Sequence, residues 1–204
     1  YPKLDFSGAV NSYERLLKIL PAGQPRDRIY YQLAQIKDKE GNLPESIKYL
    51  YTLTQKYPQS LYVQEAYFRI GEYEFDYGTL EKAIPAYIKV GKIGGKQEYV
   101  DHSSYKLGWS YYRLSSVPKA IDTFILLLDD LVKRGQLTTQ VAQSLSFEAL
   151  KQLSVSLAEA GGVNQIPRYF GQGQKPYQKQ LVFMIGEVLE DQGKTALAIE
   201  AFGR

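Results

Sequence analysis

Three small residues constrain this chain more than anything else in it. Ala34, Gly71 and Gly108 each stand 37 residues after the one before, and Ser46, Ala83 and Ala120 keep the same step. A fixed period in the range of roughly 20–50 residues means a supersecondary unit that buries its apolar face only against copies of itself. The clearest copy is Tyr99–Leu128, YVDHSSYKLGWSYYRLSSVPKAIDTFILLL. In it Leu107, Gly108 and Tyr111 fall at helical spacing. A Ser115-Ser116-Val117-Pro118 break comes next, and Ala120, Phe124 and Leu127 then share a second helical face. Small residues at Gly108 and Ala120 would let two antiparallel helices approach closely, with larger neighbours filling the seam. YYQLAQIKDKEGNLPESIKYLYTLTQKYP at Tyr30–Pro58 and YFRIGEYEFDYGTLEKAIPAYIKV at Tyr67–Val90 repeat the arrangement.

With those residues in place, the pattern resembles the tetratricopeptide repeat. The family's large residue at motif position 4, its leucine and small residue at 7 and 8, and its small residue and large apolar residue at 20 and 24 match Tyr30, Leu33, Ala34, Ser46 and Leu50, with proline at Pro58. In the second repeat they match Tyr67, Ile70, Gly71, Ala83 and Tyr87, and in the third Leu107, Gly108, Tyr111, Ala120 and Phe124. Lys37 and Glu74 depart from the aromatic of position 11, and Gly95 stands where proline would. The resemblance implies an all-α fold, a right-handed α-solenoid of antiparallel helix pairs.

Along the chain the pattern predicts one continuous array. Residues 1–24 hold the second helix of a truncated repeat, capped near Asp5-Phe6-Ser7 and carrying an Ala9, Tyr13, Leu16, Leu20 stripe that ends at Pro21. Three repeats succeed it at 25–60, 61–97 and 98–137, the third with an extended second helix. Gly41 is a predicted left-handed C-cap, Gly78 divides the second pair, and Pro85 predicts a kink. A degenerate repeat, capped by Thr138 or Thr139, covers 138–175. There Leu150, Leu153, Ser154 and Leu157 take positions 4, 7, 8 and 11, Gly161-Gly162 the turn, and Ile166 and Phe170 a short second helix. A fifth repeat at 176–204 returns with Ile185, Gly186, Leu189, Ala198 and Phe202. A chain opening on a second helix predicts an internal fragment of a longer array, able to self-associate through exposed end helices.

Chemistry is sparse. Without cysteine the chain has no disulfide or thiolate metal site. The lone His102 has no patterned nucleophile or acid beside it. Gly94-Gly95 and Gly161-Gly162 come after no strand and read as helix ends rather than phosphate loops. Asp129-Asp130 and the Glu72, Glu74, Asp76 cluster read as solvated helix surface. The expectation is a non-enzyme with no cofactor and no metal. Twenty-five basic against twenty-two acidic residues gives a formal charge of +3, too close to neutral to argue for nucleic acid. The longest wholly aliphatic run, Ile125–Leu128, cannot span a bilayer.

What remains is an aromatic surface, since eighteen tyrosines accompany eight phenylalanines and one tryptophan. In the tetratricopeptide family positions 2, 5, 9, 12 and 13 of the first helices line a concave groove. Carried over, position 5 is Tyr31, Phe68, Tyr105, Lys151 and Phe183, position 12 gives Phe75 and Tyr112, and Trp109 is at position 9. Glu65, Glu72, Asp76, Glu187, Glu190 and Asp191 make an acidic edge; Arg28, Lys39 and Arg113 are basic. The expected partner-binding set is Tyr31, Phe68, Phe75, Tyr105, Trp109, Tyr112, Phe183, Arg113 and Glu72, and the expected partner a protein or peptide segment. Rings at helical spacing are equally the mark of ordinary packing, and both readings stand. Position 9, with Gln35, Glu72, Trp109, Val155 and Glu187, lacks the asparagine of the family's chaperone-tail clamp. The alternatives are an RNA-binding helical repeat, as in the pentatricopeptide family, or an accessory region of a larger enzyme. KYPQSLYVQEAYFRIGEYEFDYG and YKLGWSYYRLSSVPKAIDTF also resemble bacterial envelope repeat proteins, among them outer-membrane assembly and Tol-Pal associated lipoproteins and long periplasmic proteins of gliding or predatory bacteria. That resemblance implies a periplasmic setting in an envelope or motility-type assembly.

Overall fold

The structure, a computed structural model, describes residues 6–21, 24–136, 140–171 and 173–204, with backbone only at 140–143. Among the described residues there are eleven α-helices and no strand. They are α1 (Ser7–Ile19), α2 (Asp27–Lys39), α3 (Leu43–Lys56), α4 (Val63–Asp76), α5 (Leu80–Ile93), α6 (Gln97–Arg113), α7 (Val117–Lys133), α8 (Gln140–Ala160), α9 (Ile166–Phe170), α10 (Gln178–Asp191) and α11 (Thr195–Phe202). A 3₁₀ turn, Gly162–Gln165, precedes α9. The all-α expectation holds, and consecutive helices pack as pairs.

The chain forms two compact units, Tyr1–Ser103 and Ser104–Arg204. The division falls inside α6 rather than between repeats. Tyr99, near the start of α6, stacks on Phe68 in the first unit, whereas Tyr105 and Gly108 pack against Phe124 of α7 in the second.

Close approach at position 8 is what the 37-residue step encodes. A Cβ on Gly71 would lie 2.6 Å from the Tyr87 ring, and one on Gly108 2.6 Å from the Phe124 ring. In the last pair the same hydrogen-for-methyl difference applies, since a Cβ on Gly186 would lie 2.4 Å from the Phe202 ring. Each glycine lets one helix sit directly beneath the large residue at position 24 of its partner. In the first pair Ala34 and Leu50 hold those places, both with no exposure, and the Ser46 hydroxyl donates to the Ala34 carbonyl at 2.7 Å.

The turns inside three pairs share a six-to-one bond: Asn42 N–H to Lys37 C=O, Ser116 N–H to Tyr111 C=O, and Lys194 N–H to Leu189 C=O, each 2.8–2.9 Å. The residue before each donor takes positive φ: Gly41 at 77°, Ser115 at 54° and Gly193 at 70°. Asn42 then caps α3, accepting from the Glu45 N–H at 3.3 Å and donating to the Glu45 carboxylate at 2.9 Å.

Two expectations are corrected, both on α1. The face that α1 buries is Val10 with Tyr13, Leu17 and Leu20, against Ile29, Leu33 and Ile36 of α2, while Ala9 and Leu16 are exposed. The shift of one position arises from which face meets α2. Phe6 is the N-cap without a side-chain bond; Asp5 lies outside the described residues, as do Thr138 and Thr139. Pro85 lies inside α5 on its exposed face and removes one donor, and the helix is continuous from Leu80 to Ile93. In the second unit Leu150, Leu153, Ser154 and Leu157 are buried as expected, with Val163, Ile166 and Phe170 beyond the Gly161-Gly162 turn.

Candidate functional site

In the first unit, α2, α4 and the start of α6 bring four rings and one carboxylate together. Tyr31 stacks on Tyr62 with ring centroids 4.2 Å apart, and Phe68 stacks on Tyr99 at 5.0 Å. Between the two stacks lies Glu65, which accepts the Tyr31 hydroxyl at 2.9 Å. Burial, then the Glu65 bond, pushes the Tyr31 pKa up to about 12, so this hydroxyl remains a donor at neutral pH. Burial also raises Tyr99, with Glu65 adding to the effect. Further along α4, Glu72 accepts the Tyr87 hydroxyl at 2.7 Å, and Arg69 pairs with Asp38 of α2 at 2.9 Å. Phe75 is half-buried.

Tyr31 differs from the expectation of a free groove anchor: its ring is 8% exposed and belongs to the core of the first unit. The position-11 departures acquire a reason here too. Glu74, 5% exposed, accepts the Tyr51 hydroxyl at 2.8 Å and the Thr79 N–H at 3.3 Å. A Cβ on Gly78 would sit 2.0 Å from that carboxylate, so the glycine makes room for it. Lys37 bridges Glu40 and Glu45 at 3.0 and 3.4 Å.

In the second unit Tyr105, Trp109 and Tyr112 are half-buried and pack on its core. Trp109 meets Tyr112 edge-on at 5.9 Å, and the Tyr112 hydroxyl donates to Glu159 of α8. That bond, with burial second, raises the Tyr112 pKa to about 12. Arg113 is exposed. Phe183 is 57% exposed and touches Phe202, lining an open hollow of about 890 Å³ with Ile166, Phe170 and Val182. The predicted rings are thus split between packing and surface: Phe183 is mostly exposed, Tyr31 is core, and the others are shared.

Sequence reading missed Tyr62, Tyr99 and Lys96. They lie in the joins between repeats, where the motif names no position; the tyrosine bias of those joins was the one available signal. Among the described residues no group of three or more His, Cys, Asp or Glu could hold a metal ion, His102 is exposed, and no helix is long and apolar enough to cross a membrane.

Residues 29–60, which cover nearly all of the α2–α3 pair, match the family model for the tetratricopeptide repeat. No curated protein matches the chain. A tetratricopeptide match points to a protein–protein interaction scaffold.

Proposed function

We propose that this chain is a non-enzymatic tetratricopeptide-type scaffold that holds a segment of a partner protein on the faces of its first helices. The observation that supports it best is the ring and carboxylate group of the first unit, where Phe68, Phe75, Glu65 and Glu72 stand half-buried on α4, with apolar faces and polar edges both in reach of a ligand. Such mixed, partly desolvated surfaces are where a few residues carry most of the binding energy. In the second unit Trp109 and Tyr112 on α6, and separately Phe183 on α10, are proposed as further contacts. A bacterial-envelope or motility assembly is proposed as its setting on sequence resemblance alone. Self-association is proposed through exposed apolar faces, Ile19 at 64% on α1 and Ile199 at 66% on α11, and is checked by sedimentation across a concentration series.

The test is capture of partners from a lysate of the native organism by the immobilised chain, followed by mass spectrometry, with Phe68→Ala/Phe75→Ala beside the parent. A true pair of anchors should weaken the captured partner by about 2 kcal/mol or more, roughly thirtyfold. A folded double variant that captures the same protein equally well overturns the reading.

A further inference from the structure

The first unit contains a cup of about 330 Å³ whose walls include Tyr31, Tyr62, Tyr99, Glu65, Lys96 and Leu61. It is at the small end of ligand sites, sized for the head of one side chain rather than for a whole peptide. It is also held in shape. Gln64, 7% exposed, accepts from the Lys96 N–H at 2.9 Å and donates to the Lys96 carbonyl at 3.3 Å, fixing the 94–96 turn as one wall. Gly95 takes φ of 105° there, which strains any L side chain, and a Cβ on it would lie 2.8 Å from the Gln64 amide oxygen and displace the amide that holds the turn.

The chemistry inside is selective. Glu65 is an acceptor-only group with about four lone-pair sites; the Tyr31 hydroxyl fills one of them at 2.9 Å and the Tyr99 hydroxyl bears on the carboxylate as well, which leaves room for an incoming pair of donors. No cation among the described residues pairs with Glu65, since the neighbouring Arg69 is bonded to Asp38. Of the rings lining the cup, Tyr62 stacks on Tyr31 and Tyr99 on Phe68, which occupies one face of each; a ring face attracts a cation within about 6 Å of its centroid. Such a contact already exists at the rim, where the Lys96 ammonium sits 5.4 Å from the Tyr99 centroid. We propose that this cup is a subsite for a cationic side chain of the bound segment, an arginine by preference, with its guanidinium against the tyrosine faces and its N–H groups on Glu65.

Arginine is favoured because a planar guanidinium stacks on a ring and donates two parallel N–H groups to a carboxylate, which an ammonium cannot do. Lys96 is then a resident competitor: its charge occupies one ring face and opposes the incoming one. The inference rests on reading the first-helix faces as a partner surface.

The experiment is an NMR titration of the labelled chain with N-acetyl-arginine amide, using N-acetyl-citrulline amide as a planar, neutral control. The expected result is saturable shifts of the Tyr62 and Tyr99 rings with the arginine compound and not with citrulline. Glu65→Gln should weaken that binding roughly tenfold, the worth of a charge-assisted contact. Lys96→Gln should strengthen it, a change of opposite sign that loss of fold cannot imitate. Equal shifts with citrulline, no saturable shift at the two rings, or an unchanged affinity in Glu65→Gln would each overturn the subsite. Failure of the lysate capture with the arginine shifts intact would count against the scaffold reading alone. A captured partner unaffected by Glu65→Gln, with no ring shifts, would count against the cup alone.

Discussion

The α4–α5 pair and the α8–α9 stretch carry the same motif position in different ways. In α4–α5 Gly71 leaves the place of a side chain empty and the Tyr87 ring, 2% exposed, lies over it. In α8 that position is Ser154, whose hydroxyl turns back to the Lys151 carbonyl of its own helix at 2.7 Å. Beyond α8 the chain continues as a 3₁₀ turn and a five-residue helix, with Val163, Ile166 and Phe170 completing the core. In α4–α5 a full-length second helix thus lies over a vacant position, with one large ring covering it. After α8, where Ser154 occupies the position, the second element is short and covers its partner with several smaller contacts.

Truncating the ring should give the largest effect. Phe124 in the α6–α7 seam has no exposure, and Phe124→Ala should cost about 3–5 kcal/mol in chemical denaturation. Phe170, at 7% exposure, borders the open hollow, where water can enter the space left behind, so Phe170→Ala should cost less. Equal losses would break the contrast between the two kinds of pair.

Filling the vacancy comes next. Gly108→Ala gains helix propensity of about 0.5–1 kcal/mol, but its new methyl meets the Phe124 ring at 2.6 Å. Overpacking of this sort costs about 1–3 kcal/mol, so the net outcome is destabilising. Ser154→Ala removes only a hydroxyl bonded within its own helix, and should stay within about 1 kcal/mol of the parent. Melting curves of both variants decide the matter; a Gly108→Ala protein as stable as its parent would mean that the seam yields.

These seams were legible because close packing leaves a periodic trace: a residue without a side chain 37 positions after another has few explanations other than a repeated approach. The surface was less legible, for a physical reason. A motif position fixes the direction of a side chain from its helix, but not how far the neighbouring repeat covers it. Tyr31 and Phe183 both fall at position 5, yet one is 8% exposed and the other 57%, because Tyr62 stacks on Tyr31. The same holds for α1, whose buried Val10 and exposed Ala9 are neighbours that periodicity alone could not rank. Glu74 shows a further blind spot: a buried carboxylate at an aromatic position makes sense only once the Tyr51 hydroxyl, 23 residues earlier, is seen to reach it.

Removing that hydroxyl sharpens the comparison from the polar side. Tyr51→Phe takes one donor from the buried Glu74 and leaves it the Thr79 N–H, and should cost about 1 kcal/mol or somewhat more. A pH series adds an independent check in the same unit. Tyr31 is raised from 10.0 to about 12 by burial first and by Glu65 second. A folded-state pKa above the unfolded one stabilises the fold fully below pH 10; that contribution is lost as pH climbs toward 12, because the unfolded chain gives up its proton first. Tyr31→Phe should therefore flatten part of the decline in stability between pH 10 and 12. A decline of unchanged steepness would remove Tyr31 from that account.

The smallest effect has the opposite sign and tests whether glycine in this chain is always structural. Gly91 lies in α5, is exposed, and has no atom within 4 Å of where a Cβ would stand. Its φ is not positive either, so an L side chain fits the backbone as it is. Gly91→Ala should then stabilise the chain by about 0.5–1 kcal/mol, because alanine loses less backbone entropy on entering a helix. The denaturant midpoint should rise while the slope of the transition stays the same, since no surface is added or removed. Set beside Gly108→Ala, the same substitution in the same helical backbone would move stability in opposite directions, and only the ring above Gly108 distinguishes them. Destabilisation by Gly91→Ala would show that space at a glycine is not enough to predict its tolerance.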